Sequence, residues 1–194
     1  MRQILPSLPA YWYDSSEDDA TLIQAARIEP AAFSALYLRY RHRVYVYLRS
    51  RTGNEEDAAD LTQVVFMRAL QGLPRYRGRN SEFRAWLFRI ARNAAHDFHR
   101  AQRDTVPWDL LPEALHPEAD ADVEAAVLRQ EDIQRLREAL LTLDRDTREL
   151  LALRFGGGLT AAECGAAIGA SEAATRKRLQ RTFKRLKERY DESP

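Results

Sequence analysis

Cysteine is almost missing from this chain of 194 residues: Cys164 stands alone, so no intrachain disulfide can form. A disulfide-stapled scaffold is excluded, and the composition points to the reducing cytoplasm. No apolar run reaches the about 18 residues needed to span a bilayer, so membrane insertion is not expected. The start MRQILPSLPA has too short an apolar stretch for a secretory signal. Period-two alternation is also missing, which leaves an all-α reading. There is no H-E-x-x-H, no P-loop, no G-x-S-x-G and no clustered set of metal-ligating side chains. The expectation is therefore a non-enzyme with no catalytic residue, cofactor or metal. Net charge is scarce too, at +1, which taken globally argues against a polyanion binder.

What is present overturns that last inference, because the charge is laid down in blocks. Arg39 to Arg51 holds five arginines and no acid, and Arg75 to Arg103 holds eight arginines against Glu82 and Asp97. From Asp104 to Leu128 seven acids stand without a Lys or Arg, and Arg176 to Lys187 then carries seven bases without an acid. One such block would equally suit a solvated helix face. The alternation instead suggests parts with different partners, whose charges cancel only in the sum.

Apolar spacing supplies the helices. Phe33, Leu36, Tyr37, Tyr40, Val44, Tyr47 and Leu48 recur every three or four residues behind an acid-rich segment, Ser15 to Asp19, that can cap a helix. RTGNEEDAAD is a turn and a fresh acidic first turn, after which Ala58, Leu61, Val64, Val65 and Ala69 continue until the GLP of residues 72–74. Asn80 or Ser81 caps a third helix through Phe83, Leu87, Ile90, Ala91 and Ala94, to about His99. TVPWDLLPEALHPEADAD, with three of the eight prolines, reads as a linker. The reading is an N-terminal tail (1–19), a helical domain (20–103), an acidic linker (104–128) and a second helical domain (129–194).

That second domain carries the densest local signal. LDRDTRELLALRF forms a helix closed by Gly156 to Gly158; Thr160 and Glu163 make a T-x-x-E capping box; Gly169 ends a short helix; Ser171 caps a longer basic one. This is the order of a helix-turn-helix, whose second helix enters the major groove. Thr175, Leu179, Thr182, Phe183 and Leu186 fall on the core side, which leaves Glu172, Ala173, Arg176, Lys177, Gln180, Arg181 and Lys184 outside, with Ser171 at the cap. Arg176, Lys177 and Gln180 are placed for base edges, and Arg178, Arg181, Lys184 and Arg185 for phosphates. The bland reading is a basic amphipathic terminal helix.

EDAADLTQVVFMRAL, FRAWLFRIARNAAHDFHR and LREALLTLDRDTRELLALRFGGGLTAAECGAAIGASEAATRKRLQRTFKRL together resemble the sigma factors of bacterial RNA polymerase, in the small extracytoplasmic-function form that keeps regions 2 and 4. The resemblance covers residues 20–103 and 130–189. It implies that the DLTQ helix docks on the clamp helices of the largest polymerase subunit through Asp60, Gln63 and Phe66, with Val64 where an acid is usual. It implies that Tyr76, Phe83 and Trp86 offer aromatic surfaces to unstacked bases of the −10 strand, while Arg79, Asn80, Arg84, Arg89 and Arg92 line and hold that strand. Region 4 would read the −35 element and meet the polymerase flap. The acidic linker, anchored by Trp108, Leu110 and Leu111, either threads toward the polymerase active-site channel or is a solubilising tether. An anti-sigma factor is a possible partner. Glu163-Cys164-Gly165 replaces the usual E-I-A and predicts a lighter core there. Cys164 reads as an inward packing residue, with a redox or metal role the weaker reading, and His96 and His99 read as surface or phosphate-contact residues. The alternative function is a stand-alone helix-turn-helix regulator that acts without polymerase, in which the DLTQ helix would have no role.

Overall fold

The structure is a computed structural model and describes residues 18–78, 82–102 and 134–192, all helices and turns without a strand. The linker (104–128), the residues Arg79, Asn80 and Ser81, and the tail before Asp18 lie outside the described residues.

Helix α1 (Asp19–Ile28) is a separate element that the periodicity did not distinguish. Its N-cap, Asp18, accepts from the Thr21 N–H at 2.8 Å. Its end is fixed by Pro30, which holds Glu29 extended at φ −126°, ψ 108°. Helix α2 (Phe33–Thr52) follows, ending on left-handed Gly53, and α3 (Glu55–Gly72) begins at Asn54, whose side chain accepts from the Asp57 N–H. Three acids in the first turn of α3 complement its dipole. Ala58, Thr62, Val65, Phe66 and Ala69 form its inner stripe. Helix α4 (Phe83–Gln102) runs slightly past the expected end and buries Phe83, Leu87, Phe88, Ala91, Ala94 and Ala95.

Among the described residues, the C-terminal half starts with helix α5, residues 134–141. Helix α6 (Arg145–Leu151) is capped by Asp144 and widens into a π turn, Ala152–Gly156. Helices α7 (Ala161–Ile168) and α8 (Glu172–Glu192) complete the chain.

The two halves do not sit apart. Leu150, Leu153, Leu159 and Cys164 belong to the same buried cluster as Tyr47, Leu87 and Phe88. The π turn packs on α2, and α7 packs on α4. At the π turn two backbones nearly touch: a Cβ on Gly156 would lie 3.3 Å from the Tyr47 Cα. The glycines expected merely to stop a helix thus also admit a neighbouring helix.

This docking redistributes the first basic block. Arg39 pairs with Asp19 at 2.8 Å. Arg51 is wholly buried and pairs with Glu149 of α6 at 3.1 Å. Arg41 and Arg43 remain exposed. Tyr47 donates its hydroxyl hydrogen to Glu149 Oε1 at 2.6 Å, and His96 Nε2 lies 3.8 Å from Glu149 Oε2. A carboxylate is costly to bury alone, so Glu149 and Arg51 each make the other's burial tolerable.

Leu36, fully buried on α2, has no polar role. Leu36→Ala is expected to lower the unfolding free energy by about 2–5 kcal/mol, read as a shift in the urea midpoint at unchanged slope.

Candidate nucleic-acid interface

The helix-turn-helix forms as its sequence requires. Thr160 Oγ1 accepts from the Glu163 N–H at 3.2 Å while Glu163 Oε2 accepts from the Thr160 N–H at 2.7 Å, a complete capping box. Gly169 adopts φ 78°, the left-handed conformation that lets the chain turn into α8. A Cβ on Gly165 would sit 2.7 Å from the Ala170 carbonyl oxygen, so glycine there lets the turn close onto α7. The lighter core expected at Cys164-Gly165 is therefore a close backbone approach. Ser171 accepts from the Ala174 N–H at 3.2 Å.

Along α8, Thr175, Leu179 and Thr182 are buried, with the Thr175 and Thr182 hydroxyls donating to the Ser171 and Arg178 carbonyls. Glu172, Ala173, Arg176, Lys177, Gln180, Arg181 and Lys184 are exposed together with Ser171. Arg176 pairs with Glu172 one turn back, and Lys184 Nζ lies 3.8 Å from Glu188. Two placements differ from the sequence expectation. Phe183 is 41% exposed and meets exposed Phe155 edge-on at 5.8 Å, because no element covers that side of the π turn among the described residues. Arg178 reaches inward, to Asp144 at 2.8 Å and to the Thr147 hydroxyl at 3.0 Å. It therefore fastens α8 to the start of α6, and a phosphate would have to compete for it.

A second group gathers where α4 begins. Arg75, Tyr76, Arg77, Gly78, Glu82, Trp86 and Arg89 line a cleft of 320 Å³, which Ala166 of α7 closes on one side. Trp86 is half-buried and stacks obliquely on Tyr76 at 4.9 Å. Tyr76 is largely buried, and burial together with the Glu82 charge pushes its hydroxyl up to about 12. Phe83 is buried completely and packs on Tyr40, Tyr76 and Trp86. Its ring presents no face to a base, so the sequence expectation of stacking on Phe83 is corrected: it is the floor that holds Trp86. Arg89 is exposed and Arg92 half-buried. Arg84 turns away from the cleft and donates to the Gly158 carbonyl at 2.5 Å, and it pairs with Glu163 at 3.2 Å. Arg79 and Asn80 lie outside the described residues.

On α3, Asp60 and Gln63 are exposed on one face. Phe66 is buried against Phe33 and Tyr37, which corrects its expected role as a contact: it anchors the helix from beneath. The exposed apolar residues of that face are Met67, 61% accessible, and Leu70. Gln63, Met67 and Leu70 follow three-and-four spacing, a signal present in the sequence and passed over there.

Two family models match the chain. The model described as Sigma-70 region 2 matches residues 36–105, and that described as Sigma-70, region 4 matches residues 133–186. The ECF RNA polymerase sigma factor SigD of Mycobacterium tuberculosis is 35% identical over 176 residues, covering 88% of this chain and 82% of that protein. The chain belongs to the sigma-70 family. More narrowly, it is a sigma factor of the extracytoplasmic-function type, as is BldN of Streptomyces coelicolor, 32% identical over 92% of this chain and 69% of that protein. Among solved structures, CnrH in complex with the cytosolic domain of CnrY matches with a TM-score of 0.64 at 25% identity, covering 92% of this chain and all of that one. RpoE of Bartonella quintana, in complex with the anti-sigma factor NepR, shares the fold with a TM-score of 0.60 at 22% identity, covering 84% of this chain and 98% of that one. No helix among the described residues of this sigma factor is long and apolar enough to cross a membrane.

The lone Cys164 thiol is buried and donates weakly to the Leu159 carbonyl; burial and nearby Glu163 push it up to about 12, so it packs rather than reacts. The two histidines of α4 face the junction of the halves rather than open surface. His99 is held below its ordinary value by burial and by Arg51, Arg145 and His96, against which Glu149 pulls weakly. For Glu149, burial alone would raise the carboxyl, yet His96, Arg51 and Tyr47 outweigh it and hold the group below its ordinary value. Both shifts have the same consequence. A neutral histidine with a depressed pKa stabilises the fold above 6.5 and loses that contribution as the pH falls from there; Glu149 loses its contribution below 4.5. Thermal midpoints should therefore fall between pH 7.5 and pH 5.5, and His99→Gln should flatten that segment of the curve.

Proposed function

We propose that this sigma factor acts as a transcription initiation factor that binds RNA polymerase core, directs it to specific promoters and helps open the −10 element. The observation that carries this reading is the presence in one chain of three separate surfaces: the Asp60–Gln63–Met67–Leu70 face, the arginine-lined aromatic cleft and the exposed basic face of α8. A stand-alone helix-turn-helix regulator needs only the last of them.

In this reading the α3 face docks on the clamp helices of the largest subunit, with Met67 and Leu70 as the apolar centre and Asp60 and Gln63 as the polar rim. Arg176, Lys177 and Gln180 meet base edges of the −35 element while Arg181 and Lys184 meet phosphates, and Phe155 with Phe183 offers an apolar spot for the flap. Trp86, backed by Tyr76 and Phe83, stacks an unpaired base of the −10 strand, and Arg89 and Arg92 hold its backbone. Stacking contributes about 1–3 kcal/mol per base, against a mean of about 1.4 kcal/mol for a base-pair step, so capture of a flipped base can offset local melting without ATP. Bond-making chemistry belongs to the polymerase. The domain division at residues 20–103, 104–128 and 129–194, action in the cytoplasm, and regulation by an anti-sigma factor belong to the same reading.

Purified protein added to bacterial core polymerase on genomic promoter fragments should give run-off transcripts. Gln63→Ala should weaken core binding about tenfold and leave −35 duplex binding unchanged, whereas Arg176→Ala should do the reverse. Tight binding to a palindromic duplex without any core binding would support the stand-alone regulator instead.

A further inference from the structure

Three of the residues that line the cleft at the start of α4 are arginines, Arg75, Arg77 and Arg89, and one, Glu82, is an acid. Its aromatic surface is the half-buried Trp86 beside Tyr76. At 320 Å³ it lies at the lower end of the about 300–1,000 Å³ that takes a small ligand. A flat ring with negative charge next to it has the matching chemistry.

The start of α1 lies close to this cleft. Asp18 caps the helix by accepting from the Thr21 N–H, and Asp19 accepts from the Tyr40 hydroxyl and pairs with Arg39. The Tyr40 ring packs on Phe83 at 5.8 Å, and Phe83 packs on Trp86 at 5.5 Å. The Asp19 charge is felt by Tyr76, whose carbonyl accepts from Arg27 toward the other end of the same helix. The chain therefore enters α1 within two aromatic rings of Trp86.

The residues just before that entry are complementary to the cleft. Tyr11, Trp12 and Tyr13 are consecutive aromatics, Asp14 and Glu17 follow, and no Lys or Arg stands between Tyr11 and Asp19. Three adjacent large rings are unusual in a segment that serves only to be solvated. The steps back from Asp18 to Trp12 reach up to about 20 Å in extended chain, ample for rings spaced as Tyr40, Phe83 and Trp86 are. An indole can lie on Trp86 and under a guanidinium, and carboxylates can meet Arg75 and Arg77 as DNA phosphates would.

We propose that residues 11–17 of this chain occupy the arginine-lined cleft, Trp12 as a base-like ring and Asp14 and Glu17 as phosphate-like charges, in competition with a single DNA strand. The competition rests on the strand-capture role of the cleft in the initiation-factor reading; the occupancy itself does not. Tethering makes a weak contact sufficient. A short tether supplies an effective concentration of about 1 mM, at which an intrinsic Kd of about 0.2 mM fills the cleft in about five molecules of six.

The full chain with Trp12 replaced by the photo-cross-linker p-benzoylphenylalanine tests the occupancy. Irradiation of dilute protein should join residue 12 to the segment from Arg75 to Arg89 within the same chain. Arg75→Glu with Arg77→Glu, on the cleft, and Asp14→Lys with Glu17→Lys, on the tail, should each cut that yield about fivefold or more. Cross-links scattered over the surface, directed to another part of the molecule or formed only between chains would overturn the occupancy. Binding of a fluorescein-labelled, adenine- and thymine-rich single-stranded 12-mer, with and without core polymerase, reads the competition. Tyr11→Ser, Trp12→Ser and Tyr13→Ser together should tighten it about sixfold, the factor by which an occupied cleft weakens a competitor. Unchanged affinity would overturn the competition. If no form binds the 12-mer in either condition, the strand-capture reading fails and the competition with it, while the cross-link still decides the occupancy.

Discussion

Glu149 is the group on which the joining of the two halves depends. It is a carboxylate placed almost out of solvent at the junction of α2, α4 and α6, where it pairs with the buried Arg51. Breaking such a buried pair by removing one member generally costs about 3–5 kcal/mol, while replacing both with apolar residues is often neutral. The pair is therefore better understood as a device for specificity than for strength. It defines one relative placement of the halves.

Local features of the fold were legible in the sequence, and long-range ones were not. Thr160 and Glu163, three residues apart, close their capping box with atoms of a single helical turn, and Gly169 and Ser171 shape the next turn in the same local way. Asn54 capped its helix for the same reason. By contrast, Tyr47 and Glu149 are 102 positions apart, and no periodicity connects them. Arg51 belonged to an arginine run that resembled a solvated, polyanion-facing block, and Glu149 to a helix rich in alternating charge. Their burial follows from docking of the halves, a tertiary effect that overrides the usual exposure of charged residues. The break between α1 and α2 is an intermediate case: Pro30 signalled it locally, but the apolar spacing on either side concealed it.

The site residues show the same division. The exposed face of α8 followed from helical geometry alone, because α8 packs on one side only. Phe66 and Phe83 belonged to motifs whose resemblance implied contact with polymerase and DNA, and both turned out to support neighbours that are better exposed. In each case an aromatic ring beneath the surface sets the position of the residue above it, Phe83 under Trp86 and Phe66 under α3. The motifs pointed to these helices, and burial separates the side chains exposed on them from those that lie beneath.

The link from Arg178 to Asp144 and Thr147 gives α8 a reference point outside itself. Asp144 is also the N-cap of α6, so one carboxylate both starts that helix and ties α8 to it through Arg178. In the proposed reading of the −35 element, residues 144 and 147 therefore bear on how α8 is presented without themselves belonging to its exposed face.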